Sequence, residues 1–239
     1  MALLEVENLT HSFGDKLLYK DSSFELYKGE HMGIVGQNGA GKSTLIKILL
    51  GEILPDKGVV KWQNGITIGK LDQYAIVEEN QTIFNYLRTA FSKLYKVEEE
   101  LNKLYEEMAE NYNENILNKV SKYQEELEEK NFYAIDSTIQ KIASGLGITA
   151  LGMENNLKNL SGGQRAKVIL AKLLLQNPEV LVLDEPTNFL DKEHVEWLSE
   201  YLTTFKGAFI IVSHDFEFLE KVTTCICDIE FNKMKKYKG

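Results

Sequence analysis

Apolar and polar residues alternate with period two near the start of the chain. Leu4 and Val6 interleave with Glu5 and Glu7, and Phe24 and Leu26 alternate with polar neighbours. Alternate side chains of a strand face opposite sides, so residues 3–70 are expected to form short strands, with a turn at Asn64-Gly65. One helix interrupts them, from about Lys42 to Leu50, with Leu45, Ile48 and Leu49 on one face. Residues 178–239 follow another rhythm: an apolar strand Val180–Leu183, a helix of about Glu193 to Phe205, a second apolar strand Phe209–Val212, and a further helix. Such alternation predicts a parallel sheet with crossover helices, which binds ligands at the carboxyl ends of its strands.

The middle, about 82–159, has no proline, no glycine before Gly145, and dense Glu, Lys and Tyr. Val97, Leu101, Leu104 and Met108 step by three and four, and Ile116, Val120, Tyr123 and Leu127 do so again after the polar break at 111–115. A narrow apolar seam seals one helix to a single partner. The pattern therefore predicts a helical hairpin, with helices at about 92–110 and 116–130, projecting as an arm. Residues 92–131 hold six Lys against eleven Glu, a net of −5.

The 239 residues are 44% hydrophobic, enough for a folded core, and carry a formal charge of −9. That balance opposes broad coating of nucleic acid or anionic lipid. Met1–Glu7 has neither a basic nor a long apolar segment, so no signal peptide is expected. Uninterrupted apolar runs such as Ala208–Val212 fall far short of the ~18 residues of a membrane span. No direct membrane insertion is expected, and the reading is a soluble, cytoplasmic protein. Cys225 and Cys227 are expected on one strand face, as ordinary thiols of a reducing compartment.

The segment Gly36-Gln-Asn38-Gly39-Ala40-Gly41-Lys42-Ser43-Thr44 matches G-x-x-x-x-G-K-[ST], between the apolar strand Met32–Val35 and an amphipathic helix. Its glycines let backbone N–H groups turn inward onto phosphate oxygens, and the helix start adds partial positive charge. Lys42 can reach the β- and γ-phosphates and the Ser43 hydroxyl can bind Mg²⁺, so the segment predicts nucleoside triphosphate binding. The strand Leu181–Leu183 ends in Asp184 and Glu185. Asp184 is expected to serve Mg²⁺, and Glu185 to orient and deprotonate an attacking water. Ser161-Gly162-Gly163-Gln164 opens a helix running through Leu175 and forms a second anion site, separate from the first. His214, after the strand 209–212, is expected at the γ-phosphate or the water. Gln73, between the first segment and the helical one, can ligate Mg²⁺ only when two halves close. Phe13, before Gly14-Asp15, is either a base-stacking ring or a core aromatic.

Taken in order, these segments resemble the ATP-binding cassette family over the whole chain: Phe13, Walker A 36–43, Gln73 of the Q-loop, signature 160–164, Walker B 180–185, the D-loop Asn188–Asp191 and the switch His214. The resemblance implies an α/β P-loop NTPase cassette spanning 1–239. It would have a RecA-like core, an antiparallel β subdomain, and an α-helical subdomain of about 76–175 carrying the arm at about 92–131. It also implies head-to-tail pairing with a second cassette, in the same full-length chain or a homodimer, so that Ser161 acts in trans on the other cassette's ATP.

The runs Gln164–Leu174, Asp184–Asp191 and His194–Leu198, together with the long insert, are similar to the ABC-F group. Those are soluble two-cassette ATPases that act on the ribosome as translation factors or antibiotic-resistance proteins. The insert matches the arm of their first cassette, and Lys236–Gly239 resembles the start of their interdomain linker. One departure is Phe216, where that group commonly carries Arg after Ser-His-Asp. The rival reading is the nucleotide-binding motor of a membrane transporter, whose coupling surface a long polar hairpin would crowd. A DNA-repair or chromosome-type cassette would carry far longer coiled coils.

Overall fold

The computed structural model describes residues 1–72, 80–110 (Glu110 by its backbone only) and 113–238. In chain order the elements begin with β1 (Ala2–Phe13), β2 (Lys16–Tyr27), β3 (His31–Gly36), α1 (Lys42–Leu49), β4 (Lys57–Trp62) and β5 (Ile68–Lys70). Five helices follow: α2 (Ile83–Arg88), α3 (Ser92–Glu110), α4 (Glu114–Glu129), α5 (Ile135–Gly145) and α6 (Gly162–Gln176). The chain closes with β6 (Val180–Asp184), α7 (Lys192–Thr203), β7 (Ala208–Val212), α8 (Phe216–Val222), β8 (Cys225–Glu230) and β9 (Lys233–Lys238). They form two compact units, one of residues 1–74 and 177–239 and one of residues 75–176.

The first unit holds two sheets. One is antiparallel, in the order β2-β1-β4; the other has six strands in the order β5-β6-β7-β3-β8-β9. All neighbours in the second sheet run parallel except β9, which returns antiparallel beside β8. The apolar runs of β6 and β7 are buried almost throughout, as strands covered on both faces require. Leu4, Val6 and Leu26 of the antiparallel sheet share one core cluster with Leu45 and Ile48 of α1 and with Met32, Ile34, Val182 and Ile210 of the parallel sheet. The strands expected to be short are not: β1 and β2 have 12 residues each, and register shifts along their pairing absorb the breaks in alternation. The segment around Asn64-Gly65 does not join paired strands, because β4 and β5 belong to different sheets.

Cys225 and Cys227 point to the same side of β8 into this core, and both are free thiols. Burial raises the Cys225 thiol above its usual range and pushes Cys227 up to about 12, so both stay protonated and inert near neutral pH.

In the second unit, α3 and α4 form the expected hairpin. Leu101, Val120 and Leu127 are buried in a cluster of their own, flanked by Val97, Leu104, Met108 and Tyr123. Helix α4 starts two residues earlier than its apolar steps suggest because the Asn113 side chain accepts the Asn115 N–H at 2.9 Å and caps it. At the base, the Arg88 guanidinium lies 4.6 Å from the Tyr95 ring centroid, donates to the Tyr95 hydroxyl at 2.8 Å and stands 3.7 Å from Asp136. Tyr95 meets Phe132 edge-on at 5.2 Å. No helix among the described residues is long and apolar enough to cross a membrane.

Candidate nucleotide site

The glycine-rich loop leaves β3 between its two parallel neighbours, β7 and β8, and runs into α1. Gly39 and Gly41 have φ of 77° and 100°, a region that glycine enters without strain. A Cβ on Gly41 would lie 2.5 Å from the Tyr19 hydroxyl oxygen, so a larger residue is excluded by space as well as by backbone. Two residues of β2 brace the loop from outside. Lys16 Nζ donates to the Gly39 carbonyl at 2.8 Å, and the Tyr19 hydroxyl donates to the Gly41 carbonyl. Tyr19 is fully buried, which raises its phenol far above the ordinary value and keeps it a neutral donor. The sequence concealed both braces: in a two-residue rhythm Lys16 reads as a strand end and Tyr19 as plain core.

Gly41 caps α1 without a side chain, and no acidic residue occupies the helix's first turn. The first N–H groups of α1 are thus left for an incoming anion. Lys42 is buried at 8% exposure, its ammonium folded back onto the Gly36 and Gln37 carbonyls at 2.9 and 3.3 Å. Those carbonyls hold the cation inside the loop's curve, where a phosphate oxygen can take their place. Ser43 and Thr44 follow on the first turn of α1.

Beside this loop, β6 ends in Asp184, and Glu185 follows it. Asp184 pairs with Val212 across the parallel ladder, and the Glu185 N–H donates to the Val212 carbonyl at 2.9 Å. Glu185 has a φ of 49°, a left-handed conformation that costs a non-glycine residue free energy and turns its side chain off the strand line. Ser43, Asp72, Asp184, Glu185 and Asn188 line one cleft of about 330 Å³, with Lys47 and Lys70 at its edge. A serine hydroxyl and a carboxylate are the hard oxygen donors that suit Mg²⁺, leaving its remaining positions to water and phosphate oxygens. Among the described residues no group of three or more His, Cys, Asp or Glu forms a self-sufficient metal cage. The donor set thus fits a cation that arrives with a phosphate.

His214 follows β7 and faces Glu185, its Nε2 3.3 Å from Glu185 Oε1. The rest of that turn is fastened: Ser213 Oγ accepts the Asp215 N–H at 3.1 Å, and Asp215 caps α8 by accepting the Phe218 N–H at 3.0 Å. Phe13 ends β1, opposite Lys16 across a two-residue turn, and is 69% exposed, so it is not a core aromatic. Asp191 precedes α7 with its carboxylate largely exposed, 3.9 Å from His194 Nε2. Gln73 lies outside the described residues.

The segment expected to form a second anion site stands in the other unit, at the start of α6. Ser161 and Gln164 close a reciprocal box: the Ser161 N–H donates to Gln164 Oε1 at 2.9 Å, and the Gln164 N–H donates to Ser161 Oγ at 3.3 Å. Ser161, Gly162 and Gly163 are exposed, and a Cβ on Gly162 would meet nothing within 4 Å. The Ser161 hydroxyl hydrogen is not used by the box, so Ser161 can cap its helix and still donate to a phosphate oxygen.

A family model described as ABC transporter matches residues 19–188. The uncharacterized ABC transporter ATP-binding protein YfmM of Bacillus subtilis is 45% identical over 242 residues, covering 100% of this chain and 47% of the relative. The energy-dependent translational throttle protein EttA of Mycobacterium tuberculosis is 32% identical, over 98% of this chain and 42% of its own length. The tylosin resistance ATP-binding protein TlrC of Streptomyces fradiae is 33% identical, over 95% of this chain and 42% of its own. This chain spans about half, or less, of the length of these curated relatives. A solved ATP-binding subunit of an ABC transporter superposes with a TM-score of 0.70 at 20% identity, over 99% of this chain and 90% of that one; it shares the fold.

Proposed function

The chain belongs to the ATP-binding cassette family, and from that membership and the phosphate site's geometry we propose that it is an ATP-hydrolysing cassette of the soluble ABC-F type, acting on the ribosome. The observation that carries the reading is that Ser43, at the start of α1, Asp184, at the end of β6, and Glu185, the next residue, line one cleft, while Lys42, beside Ser43, folds into the glycine-rich loop. In this reading the glycine loop and the start of α1 bind the β- and γ-phosphates, and Lys42 exchanges its carbonyl partners for phosphate oxygens. Ser43, Asp184 and Gln73 would hold Mg²⁺, which would supply positive charge to offset that of the phosphates. Glu185 accepts the proton of the attacking water as the new bond to phosphorus forms and the bond to the ADP oxygen breaks. His214 holds the Glu185 carboxylate and lies within reach of the γ-phosphate. Phe13 stacks on the base.

The Ser161–Gln164 box completes the site of another cassette, and Asp191 lies at that junction. A second cassette, elsewhere in a longer chain or in a second copy, is therefore required. Relatives named for a translational throttle and for tylosin resistance support a ribosomal role. The arm's net charge of −5 would be repelled by RNA phosphate and suits a basic protein surface. The proposed compartment is the cytoplasm.

The test combines two measurements. Turnover per chain should rise with protein concentration, because two copies must meet, and the chain should pellet with ribosomes more strongly with ATP than without. Turnover independent of concentration would exclude the paired site. Absence of nucleotide-dependent ribosome binding, with hydrolysis intact, would favour the transporter-motor reading.

A further inference from the structure

A second pocket, of about 260 Å³, opens on the outer side of the phosphate loop. Its walls are Lys16 from the start of β2, Asn38 and Gly39 from the loop tip, and Glu230, Phe231 and Asn232 from the turn between β8 and β9. That turn is held in place: the Lys20 N–H donates to the Asn232 carbonyl at 2.8 Å, and the Asn232 side-chain amide donates to the Leu17 carbonyl. The loop tip is tied to the same wall by the bond from Lys16 to Gly39.

Phe231 is out of place by local rules. It and Asn232 form a two-residue hairpin turn with φ of 49° and 59°. Both central residues of such a turn need positive φ, which suits Asn and penalises a bulky aromatic. Phe231 is also 87% exposed, so packing among the described residues does little to offset the strain. Strained backbone at a rigidly held position, carrying an apolar side chain into solvent at the rim of a pocket, points to something outside the chain.

The occupant follows from position. The loop takes the phosphates of a nucleotide, and whatever is attached to them must leave the loop along one of its sides. The side lined by Lys16 and Phe231 offers a cation and an aromatic face, and Lys16 stands across a two-residue turn from the exposed Phe13. We propose that this pocket seats the nucleoside of the bound triphosphate and that Phe231 stacks on its base, as a second aromatic contact besides Phe13. The proposal rests on the reading of the loop as an ATP site. Stacking on one aromatic face does not distinguish bases, so the contribution should be the same for adenine and guanine.

The test uses this chain and calorimetric titration with ATP, GTP and inorganic tripolyphosphate, which carries the phosphates without a nucleoside. Phe231→Asn suits the turn's backbone better and should melt at the same temperature as the parent or higher in the absence of ligand. It should nevertheless bind ATP and GTP about 5- to 100-fold more weakly, the range that base–aromatic stacking supplies, with tripolyphosphate affinity unchanged. Phe231→Ala should weaken the nucleotides similarly, and Phe231→Trp should retain their affinity. Unchanged ATP affinity in both Phe231→Asn and Phe231→Ala would overturn the proposal, as would a parallel loss of tripolyphosphate binding, which would mean a damaged loop. If the parent chain bound neither ATP nor tripolyphosphate, the phosphate-site reading would fail and this proposal with it; tripolyphosphate binding without any preference for ATP would overturn only the nucleoside pocket.

Discussion

His214 and Glu185 meet through both ends of one carboxylate. Glu185 Oε1 lies 3.3 Å from His214 Nε2, and Glu185 Oε2 accepts the backbone N–H of His214 at 3.2 Å. Oε1 is buried and has no well-aligned hydrogen bond, so the imidazole is what stands opposite it. The grip holds one carboxylate rotamer at the mouth of the cleft despite the left-handed backbone beneath it. His214 is thus a positioning group for Glu185 before any nucleotide arrives.

Replacing Glu185 by Gln keeps the size and most of the hydrogen bonding of the side chain but removes the proton acceptor. Hydrolysis in the paired, ATP-loaded form is expected to fall by about 10²- to 10⁴-fold, while ATP affinity is retained. Single-turnover phosphate release alongside equilibrium titration checks both halves. Near-normal turnover would pass the role of base to His214.

Lys42→Ala removes the ammonium that folds onto the Gly36 and Gln37 carbonyls of the glycine-rich loop. With the parent chain, ATP at about 100 times its Kd should add roughly 2.7 kcal/mol of stability by mass action. The variant should lose most of that gain, with little change in its ligand-free melting temperature, because the lysine's partners are loop carbonyls that water can serve. A thermal-shift titration decides it.

The arm's seam is separate from the rest of its unit. Replacing residues 98–126 by a short Gly-Ser loop keeps the Arg88–Tyr95 cluster and costs little closure entropy. ATP affinity and the melting transition of the remainder should be unchanged. By contrast, Leu127→Ala, at a fully buried position of the seam, should cost about 2–5 kcal/mol locally. Hydrogen exchange should show faster opening in α3 and α4 and parent-like protection in β3, β6 and β7. General loss of protection would mean that the arm belongs to the core.

Burial raises the pKa of Cys225, Cys227 and Tyr19, that of Cys227 to about 12. The unfolded chain releases these protons at lower pH than the folded one. The Cys227 contribution to stability is therefore complete below the unfolded thiol value, near 8.5, and is lost as the pH rises towards 12. Cys225 acts in the same direction, and Tyr19 does so only above the unfolded phenol value, near 10. Stability should fall above about pH 8.5, by up to about 1.4 kcal/mol per pH unit for each thiol. Cys227→Ala should flatten that alkaline limb in urea unfolding followed from pH 8 to 11, and an unchanged slope would contradict the assignment. Neither thiol should react with iodoacetamide at pH 8 until the chain is unfolded.

Much of the molecule is written in short-range chemistry. The glycine loop, the box at Ser161 and Gln164, the apolar runs of β6 and β7 and the seam steps of α3 and α4 each depend on neighbours a few residues apart. Glycine conformations, side-chain caps and the periods of strand and helix make them legible in order along the chain. Other features follow from which distant segments pair. Glu185 and His214 are 29 residues apart and meet only because β6 and β7 are adjacent parallel strands ending at one level. The braces from Lys16 and Tyr19, the exposure of Phe13 and the division of β4 and β5 between two sheets depend likewise on strand order. The same is true of the setting of Phe231 beside the phosphate loop. The sequence by itself determined the chemical groups and their local conformations. Tertiary structure decided which of them share a site, because strand order and register come from burying apolar surface over the whole unit, a sum that no local window contains.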